Sequence, residues 1–167
     1  ASCLDGLGHR ELVHAESNEG VAFAARADAR FEMMRMTGAW HQPHPWLEYF
    51  LPFESAVTLL PRLLDQLPLF LGDGHRIMVL ADRPRPSLLM LPAGAPVVAF
   101  TIQPAGVTAP LQAQSLTSLH AVEQVLIEAG GKRYLGGWQF SRDEAAWRDH
   151  YGPHFDSWLA HKQALDP

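Results

Sequence analysis

Nine histidines are the first residues here that could do chemistry, and metal binding is the chemistry they suggest. His41 and His44 stand three apart, but Pro43 and Pro45 hold that stretch extended, so the two rings need not converge. His150 and His154 stand four apart, yet Gly152-Pro153 breaks the helix that would align them. No H-E-x-x-H, no paired C-x-x-C and no clustered aspartates occur, so the histidines read as surface or capping groups and no metal site is assigned. The lone Cys3 excludes an intrachain disulfide, and no G-x-S-x-G elbow presents a serine. Gly6-Leu7-Gly8 and Gly72-Asp73-Gly74 lack the third glycine of a dinucleotide loop. Aromatic residues say more. Trp40, Trp46, Tyr49 and Phe50 crowd a stretch stiffened by proline, and Tyr134 and Trp138 follow the last strand. Core packing explains them by composition alone. The sharper reading is a set of flat walls, fixed by proline, around a planar ligand.

The elements that must position these residues follow from spacing. Val21 to Thr37 favours a helix with Gly38 as its stop, and residues 40–46 read as extended. Strands are expected at 46–51, 76–81, 97–103 and 132–135. A helix over 55–67 places Val57, Leu60, Leu63, Leu64 and Leu67 on one face, with Pro61 as a kink or first-turn residue. A second helix over 111–129 carries Leu116, Leu119, Val122, Leu126 and Ala129, and ends at Gly130-Gly131. Ser141 and Glu144 suggest a capping box, and Phe155 to Lys162 a last helix. Prolines at 84, 86, 92 and 96 bracket Ser87–Leu91 as an edge strand or loop. The order predicts an α+β domain: a ferredoxin-like split β-α-β-β-α-β antiparallel sheet, both long helices on one face, and C-terminal helices beyond it.

Length and charge bound the rest. One domain fits 167 residues, with 1–20 an irregular lead-in and 21–167 the folded unit. A net charge of −5 without basic runs argues against nucleic acid as a partner. No apolar stretch nears the roughly 18 residues of a membrane span, and Ala1 to Gly20 does not read as a signal peptide. The start without Met suggests a fragment or a processed chain.

Particular residues carry a family resemblance. Gly38-Ala39-Trp40, then Pro43-His44-Pro45-Trp46-Leu47 and Leu51-Pro52, resemble the substrate-domain signature of cytokinin dehydrogenases, FAD-linked oxidases of the vanillyl-alcohol oxidase type. Lys132-Arg133-Tyr134-Leu135, followed by Trp147, His150, Tyr151-Gly152, Trp158, Lys162 and Asp166-Pro167, is similar to that family's C-terminal stretch. The resemblance implies that residues 21–167 are a substrate-binding cap, up to about Ala129, with a C-terminal helical segment that runs back toward an FAD-binding domain missing from this chain. It implies Trp40 and Leu135 as substrate-binding positions, Tyr134 at the flavin edge, and FAD as the cofactor. The full protein would pass a hydride from an amine or alcohol to the flavin, and this chain alone would be inactive. The implied partners are a small-molecule substrate and the flavin domain, with a homodimer expected where that domain is lacking. The reading from another class is a non-catalytic small-molecule-binding module on the same scaffold.

Overall fold

The structure is a computed structural model that describes residues 17–68, 71, 75–80, 91–92 and 96–166. Cys3, both glycine pairs at 6–8 and 72–74, most of the 1–20 lead-in and residues 87–90 of the proposed edge strand lie outside the described residues.

Two apolar runs make the middle of the sheet. β1 (Leu47–Pro52) pairs antiparallel with β3 (Val97–Ile102), in the register Leu47 to Ile102 through Pro52 to Val97. All six residues of β3 are buried, as suits a β-branched and aromatic run covered on both faces. β2 (His75–Leu80) pairs with the outer side of β3, and the two-residue β4 (Lys132–Arg133) with β1 opposite Tyr49 and Phe50. The sheet order is β2-β3-β1-β4 and every pairing is antiparallel. The α+β class expected from the pattern is what the chain adopts.

Among the described residues the α-helices that accompany the sheet are α1 (Gly20–Ala24), α2 (Asp28–Met36), α3 (Phe53–Gln66), α4 (Gln112–Glu128), α5 (Glu144–Tyr151) and α6 (Phe155–Leu165). Strand side chains alternate, so Leu47, Tyr49 and Leu51 share one face with Val98, Phe100 and Ile102. That face receives Ala56, Leu60 and Leu63 of α3 and Leu119, Val122 and Leu126 of α4 in a single core. Both long helices therefore cover the same side of the sheet. On the other side lie Phe50, Val97 and Ala99, with Leu91 against them.

Several details differ from the expectation. Ala56, not Val57, faces the core, because α3 begins at Phe53 directly after Pro52 and its buried stripe runs 56-60-63. Pro61 sits in the middle of α3 and not in its first turn. Trp40 lies in a 3-10 turn, Ala39–His41, rather than in extended chain. The cap of α5 is Asp143, whose carboxylate accepts from the Ala146 N–H at 2.8 Å, while the Ser141 carbonyl is taken by Arg133 at 2.9 Å. Strand β4 stops at Arg133, so Tyr134 and Leu135 belong to the turn after it.

The end of α4 explains Gly130-Gly131. Gly131 N–H donates to the Leu126 carbonyl and Gly130 N–H to that of Ile127, both at 2.9 Å, with Gly130 at φ 82°. This is the double-bonded left-handed cap that glycine makes possible. A Cβ on Gly131 would stand 2.5 Å from the Leu126 oxygen and 2.9 Å from Leu51 Cδ2. Backbone cannot yield as a side chain can. Gly131→Ala should therefore cost about 1–3 kcal/mol of stability, read as a lower urea midpoint.

Candidate functional site

Position 46 shares the parity of Glu48 and Phe50, which puts Trp46 on the side of the sheet away from α3 and α4. Tyr134 packs there as well. Its ring centroid is 6.1 Å from Trp46 and 6.1 Å from Phe50, edge-on to the latter. The turn carrying it is tied to β1 by Tyr134 N–H to the Glu48 carbonyl at 2.9 Å and Trp138 N–H to that of Trp46 at 2.7 Å. Gly136 lets the ring fold over the turn, since a Cβ there would meet Tyr134 at 3.0 Å. Tyr134 stays 36% exposed despite these contacts. It presents an open aromatic edge.

Beside it, Gly38 (φ 75°) ends α2 and turns the chain into the 3-10 turn that carries Trp40. The indole meets Phe31 edge-on at 5.9 Å, and the Arg35 guanidinium lies 4.8 Å over it. Between α2 and the start of β1 opens a cleft of about 650 Å³. Phe31, Met34, Trp40 and Trp46 supply its apolar walls; Arg30, His44 and Gln103 supply polar groups. Its size and mixture of flat walls with few polar groups suit a small planar molecule.

A polar cluster lies buried on the helix side. Tyr49 Oη donates to Glu123 Oε1 at 2.8 Å, and Arg133 reaches the same oxygen at 3.9 Å while donating to the Ser141 carbonyl. Burial, then the Glu123 hydrogen bond, pushes the Tyr49 hydroxyl well above its ordinary range. His150 is lowered from 6.5 to about 4, first by burial and then by the charges of Arg133 and Lys132. Glu123 Oε2 and His150 Nε2 have no protein partner among the described residues. A Tyr49 hydroxyl pushed up and a His150 imidazole pushed down both stay neutral near pH 7, which suits holding β4 and α5 in place rather than moving protons. Because the folded imidazole resists protonation, its contribution is full above pH 6.5 and lost as pH falls toward 4. Unfolding free energies taken between pH 7 and 4.5 should decline, and His150→Gln should flatten that decline. Among the described residues, no three His, Cys, Asp or Glu side chains gather as metal ligands.

No family model matches the chain. Cytokinin dehydrogenase 8 of Oryza sativa subsp. indica is 26% identical over 159 residues, covering 87% of this chain. The subsp. japonica protein of the same name matches equally. The chain is distantly similar to cytokinin dehydrogenases. It spans about 30% of the length of these relatives.

The cytokinin dehydrogenase resemblance pointed to Trp40, Leu135 and Tyr134, and the structure separates them. Trp40 lines the cleft. Tyr134 does not line it but joins its wall through Trp46. Leu135 is half-buried in the turn, its carbonyl accepting from Gln139 Nε2 at 2.8 Å, and is not part of the cleft lining. Sequence reasoning missed Arg30, Phe31 and Met34. The signal was there: Ala27, Arg30 or Phe31, and Met34 recur at three or four residues, one face of α2. Among the described residues no helix is long and apolar enough to cross a membrane.

Proposed function

We propose that this chain is the substrate-binding portion of an FAD-dependent oxidoreductase of the vanillyl-alcohol oxidase type, which oxidises an amine or alcohol. The observation that carries the reading is the aromatic cleft on the sheet side that α3 and α4 leave free. The similarity to cytokinin dehydrogenases over 87% of the chain supports it, as does the order β2-β3-β1-β4, which suits a ferredoxin-like split motif. That motif carries its helices on one face and offers the other to a ligand or a second domain.

The residues present fit one side of a flavin and not the other. Exposed Tyr134, beside Trp46, offers a flat edge that can lie against an isoalloxazine ring. No glycine-rich phosphate loop occurs among the described residues, so the phosphates would be held by a separate FAD-binding domain, the partner in this proposal. FAD, when bound, supplies the hydride acceptor. The chain itself binds and orients: Trp40 and Trp46 hold a planar substrate, and Phe31 and Met34 exclude water from that side. Leu135 and Tyr134 would border the substrate where the flavin domain closes. Without that domain the chain is inactive, and its open aromatic face favours self-association.

The visible spectrum of the complete gene product tests this. Bound flavin that bleaches without oxygen on addition of an amine or alcohol is the expected result. A colourless product that still binds planar molecules would instead make the chain a non-catalytic binding module.

A further inference from the structure

We infer that Arg30 sets the specificity of the cleft and selects a planar aromatic substrate that carries an anionic group, a carboxylate being the simplest. This rests on the reading of the cleft as the substrate site.

Arg30 is half-buried in the cleft wall on α2. One guanidinium nitrogen donates to the Gln103 carbonyl at 3.0 Å, which anchors the head group across the cleft from its own helix. A guanidinium has five N–H donors, so one bond leaves four to be matched. No carboxylate among the described residues pairs with it. Glu32, two residues on, is taken by Arg35 on the outer face of the helix. Arg35 is thereby neutralised over the Trp40 ring, while Arg30 keeps its charge inside the cleft.

The surroundings decide what that charge prefers. Arginine cannot shed its proton to escape burial, and the walls beside it are Phe31, Met34, Trp40 and Trp46. Such walls lower the local dielectric and strengthen any attraction to a negative group. A neutral carbonyl would satisfy one donor. A carboxylate or similar oxyanion can take two in parallel, each charge-assisted and roughly twice as strong as a neutral bond. The rings fix the plane of the guest, and Arg30 fixes which end of it carries charge. The substrate class is thus an aromatic amine or alcohol bearing an acidic substituent.

Calorimetric titration of the full chain with 2-naphthoate and with its uncharged counterpart 2-naphthamide tests the assignment. The expected result is a preference for naphthoate of about tenfold or more. Arg30→Gln should abolish that preference by weakening naphthoate much more than naphthamide, and Arg30→Lys should retain part of it. Equal affinities in the unaltered chain, or a preference that survives Arg30→Gln, overturns the role of Arg30. If both probes bind equally and Trp40→Ala weakens both, the cleft stands as the binding site and only the Arg30 assignment falls. If neither probe binds, the cleft reading falls and takes this one with it. Should Arg30→Gln not fold, the comparison in the unaltered chain and in Arg30→Lys still decides.

Discussion

Glu123→Leu should lower the unfolding free energy by about 3–5 kcal/mol, the usual effect of leaving one buried charge without its partner. Glu123 is fully buried, and Arg133 beside it is 6% exposed. Removing the carboxylate leaves the guanidinium its Ser141 carbonyl but takes away its acidic neighbour, and leaves the Tyr49 hydroxyl without the carboxylate that accepts from it. Leucine fills the space but answers neither group. The double change Glu123→Leu with Arg133→Met should recover much of the loss, since a buried ion pair replaced whole by apolar side chains is often neutral. Urea unfolding of the single and double variants measures both effects. A loss below about 1 kcal/mol for Glu123→Leu would show that the cluster is solvated and not a buried tie.

Trp40→Ala in the flavin-loaded gene product should weaken substrate binding by about 1–3 kcal/mol, the range of hot-spot truncations. In affinity that is roughly fivefold to 150-fold. The indole is 42% exposed, held from one side by Phe31 and Arg35, and forms a cleft wall whose exposed surface is available to a guest. Flavin content should not change, because the proposed function puts Trp40 on the substrate side. Substrate titration and flavin-to-protein ratio on the same preparation separate the two effects. Intact substrate affinity would remove Trp40 from the site.

The sheet and its two covering helices were legible because their signals are local and redundant. Val97 to Ile102 has no reading other than a buried strand, and Leu119, Val122 and Leu126 mark the core face of α4 at helical steps. Burial of Glu123 next to that stripe was not legible. It depends on Tyr49 and Arg133, which only the strand register brings within reach. The family resemblance, not composition, singled out Trp40, and the cleft that it lines is shared with α2, with Leu135 outside that lining. A two-residue β4 moved Leu135 into a turn, and strand ends are set by pairing rather than by composition. Arg30 was invisible for a simpler reason. An arginine on a charged helix reads as solvated until the fold shows that Gln103 faces it.

Hydrogen exchange of the complete gene product, flavin-loaded against flavin-free, tests the central claim most directly. If the aromatic side of the sheet closes over the flavin, amides of residues 39–46 and 133–138 should gain protection on loading. Those of α3 and α4, on the far side, should not change. Protection that appears along α3 and α4 while 39–46 and 133–138 stay as they were would contradict the account, because the flavin would then meet the helical face and not the aromatic one.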